Sequence, residues 1–176
     1  QGNAATFAQD RFDMSLPGAY MQYPEAWEKF VKVIPENERH DMIAAYDRLF
    51  SRSPKTPTDI EYQNEAARAW SSWEGSTSYL APHPDSLDEY EKLSFAKAFA
   101  RIENHYFVNE GWLKGDKAIL ANTDKIRHIP TIIVQGRYDL CTPMQSAWEL
   151  SQALPEAELR VIQAGHSSFD PPLAAA

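Results

Sequence analysis

The end of the chain constrains its fold more than any other feature, because it reads as one strand–helix–strand unit. Pro130 precedes Thr131-Ile132-Ile133-Val134, a continuous β-branched run closed by Gly136. Such a run, without polar alternation, is the pattern of a strand covered on both faces, as in parallel sheets. Pro143 and Met144 lead into a helix over residues 145–153, with Ala147, Trp148 and Leu150 as packing residues, and Pro155 stops it. Residues 158–162 form a second short strand, followed by the loop Gln163-Ala164-Gly165-His166-Ser167. Two strands joined through a helix are expected to be parallel, with a right-handed crossover.

Upstream the pattern is helical. Residues 1–22 are irregular, with a turn at Pro17-Gly18. Pro24 opens a helix with Ala26, Trp27, Phe30 and Val31 on one side. A second helix carries Met42, Ile43, Tyr46, Leu49 and Phe50 at helical spacing and stops at Ser53-Pro54. Thr58 followed by Glu61 has the form of a capping box for a third helix, whose stripe is Ala66, Ala69, Trp70 and Trp73 and whose stop is Gly75. After the loop Ala81-Pro82-His83-Pro84, a fourth helix is expected over 88–109, with Leu93, Ala96, Phe99, Ala100, Ile102, Tyr106 and Phe107 in its stripe. The expected organisation is an irregular N-terminal segment (1–23), a helical domain (24–121) and the end of an α/β sheet (122–176).

Composition narrows the function classes. The chain has 176 residues, with 17 Lys and Arg against 25 Asp and Glu, a formal charge of −8. No basic cluster offers phosphates a footprint, so no nucleic-acid partner is expected. No run approaches the roughly 18 apolar residues of a membrane span, and no signal peptide is visible, so no membrane partner is expected. The single cysteine, Cys141, precludes an internal disulfide and fits a reducing compartment, which suggests a cytoplasmic protein. The five histidines show no metal-binding spacing, so neither a metal nor another cofactor is expected.

In open α/β sheets, functional groups gather beyond the carboxyl ends of the strands. Asp139 stands just past the first strand and His166 just past the second. Adjacent parallel strands would bring them together, letting a carboxylate orient an imidazole. Spacing alone leaves open that Asp139 merely caps a turn and that His166 is an ordinary loop histidine. A nucleophile elbow, Gly-x-Ser-x-Gly, is absent from this sequence: only Gly111 and Gly115 lie four apart, with Leu113 between them. Cys141 reads as a small buried side chain, since the nearby Asp139 would discourage a thiolate. Two further carboxylates, Glu74 and Glu103, fall on apolar helical faces, where acids are costly without a cation or strong donors. They could receive a ligand's ammonium group; pairing with Arg68, Arg101 or a backbone amide is the other reading.

Several long words resemble the proline iminopeptidase (prolyl aminopeptidase) family of α/β hydrolases. They are Trp-Ser-Ser-Trp-Glu-Gly at 70–75, Phe-Ala-Arg-Ile-Glu-Asn-His-Tyr-Phe at 99–107 and Val-Gln-Gly-Arg-Tyr-Asp at 134–139. Shorter ones lie at 24–27, 146–150, 155–159 and 164–167. The resemblance spans roughly residues 18–170. It implies a partial α/β-hydrolase fold, a helical cap domain followed by the C-terminal strand–helix–strand of the sheet. It further implies that Asp139 and His166 are the acid and base of a Ser-Asp-His triad, and that Glu74 and Glu103 receive the free α-amino group of the substrate. Such enzymes release N-terminal proline from peptides through a seryl acyl-enzyme, without a metal.

The resemblance also implies that the N-terminal hydrolase half, with its serine and oxyanion hole, is supplied in cis or on another chain, and that this chain alone is inactive. Where the family carries a cysteine, this chain has Thr142. The alternatives are an inactive derivative with a structural role in a larger assembly, and an amine-binding module.

Overall fold

The computed structural model describes residues 18–81, 84–113, 115 and 118–176, the side chains of 84–86 excepted. It is mostly helical, with one two-stranded parallel sheet among the described residues. The described residues divide into two compact units. One contains 18–77 and 84–111; the other contains 112–176 together with 78–81. The irregular segment expected over 1–22 lies largely outside the described residues, as do Pro17, Pro82 and His83; Ala19–Met21 is a single 3-10 turn.

The first unit is built from amphipathic helices. Helix α1 (Pro24–Lys32) starts on Pro24, whose missing N–H is one the first turn leaves unpaired anyway, and places Lys29 and Lys32 near its negative end. Helix α2 (Met42–Ser51) is capped by Asp41, whose Oδ1 accepts from the Ala44 N–H at 3.0 Å. Helix α3 (Pro57–Ser78) carries Trp70 and Trp73, both fully buried. These rings meet Trp27, Phe30 and Tyr46: Phe30 stacks on Tyr46 at 4.8 Å between centroids, and Trp70 meets Tyr46 edge-on at 5.1 Å. The Tyr46 hydroxyl donates to the Phe30 carbonyl at 2.8 Å, which satisfies the one polar atom that this ring buries. Each such burial is worth about 1.5–3 kcal/mol, so this aromatic cluster dominates the unit's stability.

The structure of this unit differs from the sequence expectations at four points. The capping box of α3 sits two residues earlier than Thr58 and Glu61: Thr56 Oγ1 accepts from the Asp59 N–H, and Asp59 Oδ2 accepts from the Lys55 and Thr56 N–H groups. Gly75 does not stop α3. It lies within the helix because the Tyr90 ring packs where its side chain would be: a Cβ added there would lie only 2.8 Å from Tyr90 Cγ. The expected fourth helix is two, α4 (Pro84–Glu91) and α5 (Leu93–Val108), broken at Lys92, whose ψ of 123° is extended. The break lets Tyr90 fold onto Phe95 and Phe99 of α5. On α5 the buried stripe is Ala96, Ala100 and Asn104; Ile102 and Tyr106 lie on the exposed side instead.

In the second unit, β1 (Ile132–Gly136) pairs in parallel with β2 (Glu158–Ile162), with Ile132 opposite Glu158 and Gly136 opposite Ile162. Helix α6 (Met144–Ala153) connects them and packs on both, with Ala147 buried but Trp148 exposed, against expectation. A short helix, α7 (Pro171–Ala174), follows. Strand β1 starts and ends later than expected and is not covered on both faces: Ile132 and Val134 are 54% and 40% exposed. Helix α6 and the short α7 lie against β1, yet among the described residues Ile132 and Val134 remain open.

Candidate active site

Parallel pairing sets the site. The strands end level at Gly136 and Ile162, and the pairing continues into both loops: Arg137 N–H donates to Ile162 O at 2.8 Å and Tyr138 N–H to Ala164 O at 3.0 Å. The two loops then cross at van der Waals limits. A Cβ on Gly136 would lie 1.9 Å from the Gly165 carbonyl oxygen, and a Cβ on Gly165 would lie 2.6 Å from Leu80 N. Only glycine fits either position. Beyond this crossing Asp139 is buried, His166 is partly exposed, and Nδ1 of the imidazole lies 3.0 Å from Asp139 Oδ2. The two residues singled out at the strand ends therefore meet.

The histidine loop is fixed from several sides. The His166 and Ser167 N–H groups both donate to Ser78 O, at 2.9 and 2.8 Å, and the Gly165 N–H donates to Asp170 Oδ2 at 3.0 Å. The Asp139 loop is fixed through its own carboxylate. Oδ1 accepts from the Cys141 and Thr142 N–H groups at 2.9 and 2.8 Å. Oδ2 accepts from the Gln135 amide at 3.0 Å and the Thr142 hydroxyl at 2.9 Å, in addition to His166. Burial pushes the Asp139 carboxyl up, but the His166 hydrogen bond and charge, with the Thr142 donors, outweigh it and hold the group below its ordinary value.

This buried, ionised carboxylate can orient an imidazole by accepting from Nδ1–H, leaving Nε2 to take and return a proton. Cys141 is buried, as expected of a small apolar side chain, and its Sγ lies near the pair; Asp139, Cys141 and His166 offer oxygen, sulfur and nitrogen within 4.8 Å of one another. A cation there would compete with five donors for the roughly four acceptor sites of one carboxylate, so the arrangement suits hydrogen bonding. Gln135 and Thr142 are site residues that the spacing of Asp139 and His166 does not reveal; the signal available was their position, at the end of β1 and three residues past the aspartate.

Glu74 and Glu103 lie in the other unit. Glu74 is buried on α3, one helical turn beyond Trp70. The Trp70 indole N–H donates to Glu103 Oε2 at 2.7 Å, so the half-buried carboxylate of α5 is turned toward the face of α3 that also carries Glu74. The Trp70 indole is thus one strong donor of the kind an acid on an apolar face requires.

A family profile described as alpha/beta hydrolase fold matches residues 8–172. The chain belongs to the α/β-hydrolase fold family. As a partial α/β hydrolase it shows the C-terminal strand–helix–strand of that fold and a larger helical part. Among curated relatives it is 61% identical over 153 residues to the proline iminopeptidase of Neisseria gonorrhoeae, an alignment covering 86% of this chain and 46% of that protein. It is 51% identical over 160 residues to the proline iminopeptidase of Arabidopsis thaliana, covering 90% and 41%. With that of Xanthomonas citri it shares 44% over 155 residues, covering 88% and 48%. This α/β hydrolase therefore spans about half the length of the curated relatives it matches.

Proposed function

We propose that the chain is the cap and C-terminal part of a serine aminopeptidase that releases N-terminal proline from peptides. The Asp139–His166 hydrogen bond at the ends of two parallel strands carries this reading, together with the likeness to proteins named proline iminopeptidase. On this reading His166 Nε2 removes the proton from a serine hydroxyl as it attacks the prolyl carbonyl. It then returns that proton to the departing amine, and Asp139 stabilises the imidazolium formed in between. The serine and its oxyanion hole come from a segment outside these residues, in cis or on another chain, and this chain alone is inactive. The open face of β1, with Ile132 and Val134, would be covered by the rest of the sheet.

Glu74 and Glu103 are assigned to the substrate's free α-amino group. A carboxylate pair, one buried and one half-buried, favours a protonated amine over an amide, which makes the enzyme an exopeptidase. The single cysteine and lack of a long apolar helix among the described residues fit action in the cytoplasm.

The test is turnover of a prolyl arylamide by the protein produced from its complete gene. Glu103→Gln is expected to lower kcat/KM about 10- to 100-fold on a substrate with a free N-terminus and to leave N-blocked substrates within about twofold. Equal losses on both would remove the amine-recognition role, and no turnover by the unmodified protein would favour a structural descendant.

A further inference from the structure

Two side chains around Asp139 take no direct part in the proposed reaction. Gln135 is the next-to-last residue of β1. Its amide nitrogen lies 3.0 Å from Asp139 Oδ2, 3.0 Å from Thr142 O and 3.3 Å from Gly136 O. All three neighbours are acceptors, which assigns the nitrogen to this side, and its two hydrogens go to the two nearer oxygens. Gln135 thus ties the Asp139 carboxylate and the Thr142 backbone together with a single group.

Thr142 touches both members of the pair. Its hydroxyl donates to Asp139 Oδ2 at 2.9 Å, and the same oxygen lies 3.3 Å from His166 Nδ1. A hydroxyl has one hydrogen. With that hydrogen directed at Asp139, only lone pairs face the ring nitrogen, and Asp139 Oδ2 at 3.0 Å presents another acceptor to it. Two acceptors around one ring nitrogen require a hydrogen there. The network therefore selects the Nδ1–H tautomer and leaves the Nε2 lone pair available for proton transfer.

We propose that Gln135 and Thr142 are positioning residues: Gln135 clamps Asp139 from the strand, and Thr142 bridges Asp139 to His166 so that the carboxylate stays in line with the Nδ1–H of the imidazole. Neither touches the reacting atoms; both act through the pair. This inference rests on reading Asp139 and His166 as the acid and base of a hydrolase.

The test compares Gln135→Leu, Thr142→Val and Thr142→Ser in the protein from its complete gene, with a prolyl arylamide as substrate. Gln135→Leu and Thr142→Val are expected to lower kcat about tenfold with KM within about twofold, the loss of one hydrogen bond to a charged group. Thr142→Ser keeps the hydroxyl and is expected to restore kcat to within about twofold. Gln135→Glu replaces a donor by a negative charge beside Asp139, which favours the imidazolium and moves the acid limb of the pH–rate profile to higher pH. In NMR of the His166 ring, the low-field Nδ1–H proton is expected to move upfield in Thr142→Val as the Asp139 contact loosens, and to keep its position in Thr142→Ser.

Unchanged kcat and an unchanged Nδ1–H resonance in folded Gln135→Leu and Thr142→Val would overturn the proposal, as would Thr142→Ser failing as badly as Thr142→Val. If the unmodified protein does not hydrolyse the arylamide, the functional reading falls. The Nδ1–H resonance of Thr142→Val still decides this inference: unchanged, it overturns the bridge, and shifted upfield, it upholds it.

Discussion

Asp139 is where sequence, electrostatics and chemistry meet most directly. Its carboxyl group titrates lower in the folded chain than in the unfolded one, despite burial, because His166 and Thr142 favour the ionised form. The unfolded chain therefore takes up this proton first as acid is added. The stability Asp139 contributes is present above the unfolded value, near pH 4, and is lost as the pH falls through the depressed folded value. Acid titration of unfolding is expected to show Asp139→Asn less stable than the unmodified protein at neutral pH, by about 1–3 kcal/mol, with the gap closing below about pH 4. A gap that stays constant into acid would contradict the depressed carboxyl.

The tryptophans of α3 give a second contrast. Trp70 donates to Glu103, whereas the buried Trp73 indole nitrogen has no hydrogen-bond partner among the described residues. Both changes to phenylalanine lose ring volume, but only Trp70→Phe also takes a strong donor from a half-buried carboxylate. Denaturant unfolding is expected to show Trp70→Phe costing about 1–2 kcal/mol more than Trp73→Phe. Asp139 and His166 were legible in the sequence because the end of a parallel strand is a position that spacing can reveal. Gln135 and Thr142 were not, because their contacts depend on how the loop folds back through Asp139's own backbone hydrogen bonds.

At the level of elements, helices with a dominant apolar stripe were legible and their ends were less so. Helices α1 and α2 bury the faces their spacing predicts, because Trp27, Phe30, Tyr46 and Phe50 outweigh local preferences. The reading fails where a distant side chain decides. Gly75 looks like a stop in sequence, yet Tyr90 makes it a close-approach site inside α3, and the same tyrosine accompanies the break at Lys92. Gly75→Ala separates two effects of opposite sign. Helix propensity favours alanine by about 1 kcal/mol, but the new Cβ would meet the base of the Tyr90 ring, which cannot swing aside as a chain end could. Thermal unfolding is expected to show a net loss of about 1–2 kcal/mol; a gain in stability would mean that Tyr90 yields freely. Gly136→Ala is more severe, since its Cβ would overlap the Gly165 carbonyl of the histidine loop, and it should break the Asp139–His166 hydrogen bond along with stability.

At the level of the whole molecule, the strand–helix–strand and its parallel pairing could be read from sequence, whereas the cover of β1 could not. An apolar run such as Thr131–Val134 reports that a strand is suited to burial, and says nothing of which residues bury it. Ile132 and Val134 stay exposed among the described residues, so the 176-residue chain on its own is expected to self-associate or to unfold without a sharp transition. Calorimetry on the monomeric chain checks this, and one cooperative transition would show that two strands suffice. The central claim, that His166 is the base of a peptide-hydrolysing serine enzyme, is tested most directly by steady-state turnover of a prolyl arylamide. With the protein from its complete gene, the account predicts hydrolysis that His166→Ala lowers by at least about 10³-fold, with folding intact. Turnover by folded His166→Ala equal to that of the unmodified protein would contradict it.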